Sequence, residues 1–143
     1  MLKPQNELKN LRRLEQRWVM TLANTLYWRE HGDQSERFKQ ALMAFRILDG
    51  LGKGKVRFVY TKEDGTERDA LGTLHRGISY DFDNYVSKGK SNHSDNSNTE
   101  GTYTYWDLEA CGFRTFKAQN LVRIIEIVIP LDGYSRAISD LWK

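Results

Sequence analysis

The chain has 143 residues, 39% of them hydrophobic, 12% aromatic and 29% charged, with a formal net charge of +3. That length suits one compact domain, the aromatic content supplies a core, and no apolar run approaches the roughly 20 residues of a membrane span or makes residues 1–10 a signal peptide, so the expected compartment is the cytosol. One cysteine, Cys111, and three separated histidines, His31, His75 and His93, exclude a disulfide framework and give no metal centre, and no cofactor is expected.

Over residues 7–29, Leu8, Leu11, Leu14, Trp18, Leu22 and Leu26 recur at steps of three and four, the spacing of one helical face. Lys9, Arg12, Arg13, Glu15, Gln16 and Arg17 occupy the other side. Gly32 supplies a stop, and Asp33 with Glu36 makes a capping-box-like start for a second helix with Phe38, Ala41, Leu42, Phe45 and Leu48 as its stripe and Gly50 as its end. Residues 1–50 are therefore expected to form a helical hairpin.

Residues 51–54, Leu-Gly-Lys-Gly, read as a flexible hinge, after which the period changes to two. Val56, Phe58 and Tyr60 alternate with Arg57, Val59 and Thr61, the pattern of a half-buried strand. The Asp64-Gly65 pair favours the positive φ of a tight hairpin turn, with a second strand over 67–74.

Ile78, Tyr80, Phe82, Tyr85 and Val86 suggest an irregular strand or a cover over a barrel mouth. Residues 87–102 contain no large apolar group and read as a mobile loop. Strand character returns at 103–108, a turn follows at Ala110-Cys111-Gly112, and 113–116 is a short strand. A single helical turn over 117–120 leads into Leu121-Val122-Arg123-Ile124-Ile125-Glu126-Ile127-Val128-Ile129, ended by Pro130. That near-continuous apolar run suggests burial on both faces. Residues 130–143 form a tail or short helix anchored by Ile138, Leu141 and Trp142.

The fold class this predicts is α+β: a two-helix hairpin followed by a small five-stranded SH3/Sm-like β-barrel over 54–129.

Tyr105-Trp106-Asp107-Leu108, followed by Phe113-Arg114-Thr115-Phe116-Lys117-Ala118-Gln119-Asn120-Leu121 and Ile124, resembles the second half of a WYL domain. With Val56-Arg57-Phe58, Asp64-Gly65-Thr66 and Gly72-Thr73-Leu74, the likeness is to compact WYL-like proteins of Bacteroidetes and their mobile elements. It implies an Sm-like SH3 barrel that senses ligands or binds nucleic acid, attached in some cases to regulators associated with phage defence. Arg114 and Lys117 match the basic positions of the family pattern, whereas Gln119 and Asn120 replace its Asp and final Arg, which removes a charge pair from the implied surface.

The candidate binding set is Arg57, Tyr60, Arg68, Tyr105, Trp106, Arg114, Lys117 and Arg123, aromatic and basic residues on or beside strands. Small barrels hold single-stranded nucleic acid with this combination, rings stacking on bases while cations track phosphates. Core packing and solvated strand faces explain the same residues, and neighbours such as Tyr105 and Trp106 face opposite ways. A secondary basic face, Lys9, Arg12, Arg13 and Arg17, lies on the first helix of the hairpin, and the hairpin carries the chain's positive excess: residues 1–50 hold nine Lys/Arg against six Asp/Glu. Leu11, Leu14, Trp18 and Leu22 form a possible homodimer seam. Catalysis has little support: Cys111 has no histidine nearby in sequence, and Asp64, Glu67, Asp81 and Asp83 lack metal-loop spacing. The expected function is a non-enzymatic module that engages nucleic acid or an anionic effector. The alternative is a mobile-element protein that holds a host protein, such as a nucleic-acid-dependent defence complex.

Overall fold

A computed structural model describes residues 11–30, 33–88, 96 and 98–130, with the backbone alone for 27–30. The elements run α1 (Arg13–Glu30), α2 (Gln34–Lys53), β1 (Lys55–Thr61), β2 (Glu67–Thr73), α3 (Tyr80–Ser87), β3 (Thr102–Asp107), β4 (Gly112–Lys117), a 3-10 turn (Ala118–Asn120) and β5 (Leu121–Val128). Two N-terminal helices followed by five strands are the expected plan, to which α3 is added between β2 and β3. The tail 131–143, Leu8, Lys9 and half of the polar loop 87–102 lie outside the described residues.

The five strands form one antiparallel sheet in the order β4-β3-β2-β1-β5. It is strongly curled. Three inter-strand spacings separate β1 from β4, about 14 Å across a flat sheet, yet the rings of Phe58 and Phe116 lie 5.2 Å apart. The bend falls at β2 and β3, which pair only through Gly72 with Asp107 and Thr73 with Trp106. Gly72 is required there because a Cβ would lie 2.5 Å from Cδ2 of Tyr105. The 3-10 turn then joins the two outer strands, and Ala118 N–H donates to Gly101 O at 2.7 Å. Val56, Phe58, Tyr60, Ala70, Tyr103, Tyr105 and Phe116 fill the enclosed side.

The helical hairpin packs directly on this sheet. Gly50 permits the contact, since a Cβ there would meet Val56 Cγ2 at 2.8 Å and Ile127 Cγ2 at 3.0 Å. Gln40 Nε2 donates to Ala118 O (2.8 Å) and Leu121 O (3.1 Å), and Leu74 N–H donates to Leu51 O (2.8 Å).

Several sequence-based expectations are corrected. The 51–54 hinge is helical through Lys53, because Leu51 is wholly buried and packing overrides the two glycines. Helix α1 begins at Arg13, with Leu11 and Arg12 outside it and Arg12 N–H donating to Glu15 Oε1 at 3.0 Å, while residues 7–10 of the expected helix lie outside the described residues. Its buried face is Val19, Leu22, Ala23 and Leu26, which leaves Leu14 73% exposed. Residues 80–87 form helix α3 rather than a strand, capped by Ser79 Oγ, which accepts from Phe82 N–H at 3.2 Å. In the part of the polar loop that is described, Asn96 bonds both backbone groups of Thr104, at 2.6 and 3.0 Å.

The largest correction concerns β5, an edge strand and not a doubly buried one. Register shifts against β1 at Arg57/Phe58 and Val59/Tyr60 leave Ile125 and Val122 as extra residues. Two bulges convert the alternation of two into a repeat of three. Leu121, Ile124 and Ile127 thus join the core, opposite Tyr60, Phe58 and Val56, while Val122, Ile125 and Val128 are exposed.

Candidate ligand-binding mouth

Strand alternation places Tyr60 and Arg68 opposite each other with their side chains on the enclosed side, and puts Tyr105 and Arg114 opposite each other on the same side. Arg68 reaches Asp107, whose carboxylate is wholly buried and accepts from the guanidinium. The second oxygen of Asp107 accepts from Glu109 N–H (2.9 Å) and Ala110 N–H (2.8 Å), which fixes the turn into β4. Tyr105 O–H donates to Asp107 Oδ2 at 3.3 Å, so the 2.9 Å bond between Tyr60 and Tyr105 is donated by Tyr60. The chain of donors runs one way because it ends on a carboxylate. Burial pushes the Asp107 carboxyl up, but the Arg68 guanidinium and the two N–H donors outweigh it and hold the group below its ordinary range. Burial also raises the phenols, Tyr103 to about 12 and Tyr105 further.

Beside this network the curled sheet opens into a cavity of about 360 Å³. Tyr60 and Phe116 supply apolar wall, Arg114, Lys117 and Lys62 the cations, and Glu63 and Asp64 the carboxylates. Three cations face two acids. Asp64 is committed to its own turn, accepting from Thr66 N–H (3.0 Å) and Thr66 O–H (2.7 Å). Glu63 pairs with Lys117 Nζ at 3.0 Å. Arg114 makes no ion pair among the described residues; its guanidinium touches only its neighbour's carbonyl, Phe113 O, at 3.4 Å. An exposed guanidinium beside an aromatic wall suits a planar or phosphorylated anion.

The remaining candidates do not converge on this mouth. Tyr105 and Trp106, expected on a binding face, are 0% and 5% exposed and have no ring to offer a base. Tyr105 lies inside the sheet; Trp106 lies on the other side, packed against Phe82, Tyr85 and Phe113 at 5.6, 5.9 and 5.0 Å. Arg68 is spent on Asp107. Arg57 sits on the outer face, paired with Asp69 at 2.8 Å and Glu109 at 3.8 Å. Arg123 is exposed on that same outer face, opposite Val59. On α1, Arg13 and Arg17 are exposed, and Arg12, which precedes the helix, is tied to Glu15 at 2.7 Å.

Sequence reasoning missed Glu63, Lys62 and the walls Thr61, Thr102 and Thr115. Only the closure of the sheet brings the 61–64 turn over β4. Of the carboxylates considered as a site, Asp64 accepts from Thr66 in its own turn and Asp83 accepts from Gly77 N–H at 2.9 Å, and the described residues hold no metal-binding group of three or more. Cys111 is exposed in a left-handed turn (φ 55°), and the neighbouring Asp81 carboxylate pushes its thiol pKa up.

This architecture is that of a small barrel with a helical hairpin packed on it and a basic mouth. A family model described as WYL_2, Sm-like SH3 beta-barrel fold, matches residues 44–122, more than half of the chain, and the chain belongs to that family. The match begins inside α2, so the second half of that helix is part of the family unit. No curated protein and no solved structure matches the chain. An Sm-like barrel of this kind fits a binding or regulatory module. Among the described residues, no helix is long and apolar enough to cross a membrane.

Proposed function

We propose that the chain is a non-enzymatic, cytoplasmic binding module whose mouth takes a phosphate-bearing ligand, either single-stranded nucleic acid or a small anionic effector, through Arg114 and Lys117. The observation that carries this reading is the cavity of about 360 Å³ with Arg114 left without an acidic partner among the described residues. The cavity is large enough for a nucleotide-sized group. Tyr60 and Phe116 line it but are 5% and 2% exposed, so affinity rests on charge and shape more than on stacking. Salt sensitivity follows, because each neutralised phosphate releases counterions.

Fluorescence anisotropy with mixed single-stranded RNA and DNA oligonucleotides, measured across a salt series, tests it. Binding that weakens steeply with salt supports the polymer arm. Binding of mononucleotides alone supports the effector arm, and no binding of either at low salt rejects the reading.

A protein partner is the second reading, and a second cavity favours it. Leu14, Trp18, Phe45 and Leu48 line an apolar groove of about 340 Å³ between α1 and α2, where Leu14 is 73% exposed. Pull-down from a host lysate with and without nuclease separates the two: a nuclease-resistant stoichiometric protein would favour this reading, and nucleic acid alone the first.

A further inference from the structure

We infer that Glu63 is a built-in competitor for the Lys117 ammonium, so that the mouth opens fully only to a phosphodiester chain with neighbouring charges, one for Arg114 and one for Lys117. This rests on the reading of the mouth proposed above. Three observations carry it. Glu63 stands on a braced turn, with Lys62 N–H donating to Thr66 O at 2.7 Å, Gly65 N–H donating to Lys62 O at 2.9 Å and Gly65 at φ 91°. The other rim carboxylate, Asp64, is consumed in that bracing. Across the opening Glu63 meets Lys117 at 3.0 Å, while Arg114 remains without an acid among the described residues.

Glu63 therefore occupies the position that a second anionic group of the ligand would take. A ligand with one anionic group sits on Arg114 and leaves the Lys117–Glu63 pair intact. A phosphodiester chain replaces Glu63 at Lys117 and gains a second contact. The exchange is feasible because the pair is exposed, with Glu63 at 81% and Lys117 at 41%, and exposed pairs are worth only a factor of about two to five in an equilibrium constant.

The test is a double-variant cycle on the full chain: wild type, Glu63→Gln, Lys117→Ala and both, titrated into fluorescein-labelled oligothymidylate at low salt. Glu63→Gln should bind about two to five times tighter than wild type, and that gain should vanish when Lys117 is alanine. Thermal melts should show both single variants folded, since the pair is exposed. If Arg114→Ala weakens binding but Glu63→Gln leaves it unchanged, or gains equally without Lys117, the competition is overturned and the mouth stands. If neither wild type nor Glu63→Gln binds the oligonucleotide, the competition is overturned, and the mouth falls with it only if mononucleotides also fail to bind at low salt.

Discussion

The carboxylate of Asp107 lies wholly inside the barrel and is met there by the guanidinium of Arg68 from the adjoining part of the sheet. Breaking a buried pair leaves a charge without compensation, which costs more than forming the pair gained. Asp107→Ala should therefore destabilise the fold by about 3–5 kcal/mol, since it also frees the N–H groups of Glu109 and Ala110. Arg68→Ala should cost about 2–3 kcal/mol. Arg114→Ala should leave the unfolding free energy from urea titration within about 0.5 kcal/mol of wild type. Equal midpoints for Arg68→Ala and wild type would remove Arg68 from the core.

The same carboxylate sets an acid limit. Its folded pKa is lowered, so the unfolded chain binds the proton more readily; the contribution is complete above the unfolded value of about 4 and is lost as pH falls through the folded value. Unfolding followed from pH 6 downward should show stability declining below about pH 4, and Asp107→Asn should flatten that decline. An unchanged slope in the variant would assign the effect to other acids.

At the alkaline end the sign reverses. The Tyr103 phenol is raised to about 12 by burial, so its contribution is present below the unfolded value of about 10 and disappears as pH rises through the folded one. Tyr103 and Tyr105 should ionise above the ordinary phenol range in an ultraviolet titration, together with loss of structure. Seven phenols titrating near pH 10 in the folded state would contradict their burial.

The three-residue repeat of β5 makes a contrast between neighbours. Ile124→Ala and Ile127→Ala should each cost about 1–2 kcal/mol because these side chains pack on the core. Ile125→Ala, at a bulged and exposed position, should stay within about 0.5 kcal/mol. A strand without bulges would put Ile125 and Ile127 on one face and give them equal losses.

Gly72 gives a steric test. Its Cβ position lies 2.5 Å from the Tyr105 ring, which is wholly buried and cannot retreat. Gly72→Ala should lower stability by about 2–3 kcal/mol, and Gly72→Ala with Tyr105→Ala should fall short of additivity in urea unfolding. Full additivity would mean that the two do not touch.

The strands and their order of appearance were legible because period-two alternation, the Asp64-Gly65 turn and Pro130 are local signals. The family was legible from Tyr105-Trp106-Asp107-Leu108 and the run after it. Burial on β5 was not, because bulges depend on pairing with β1 and an all-apolar run hides a period of three as easily as a doubly buried strand. Arg114 and Lys117 were picked out by their place in the family pattern, and both line the mouth. Arg57, Arg68 and Arg123 were chosen by residue type, and their distribution among outer face and interior is set by register and partners. Glu63 had no local signal, since its contact with Lys117 exists only after the sheet curls.

The central claim is that Arg114 and Lys117 at the barrel mouth hold an anionic ligand. Anisotropy at low salt should show that the wild type binds single-stranded oligonucleotide or mononucleotide and that Arg114→Ala with Lys117→Ala weakens this by about tenfold or more, with the thermal midpoint unchanged. Undiminished binding by the folded double variant would contradict the claim.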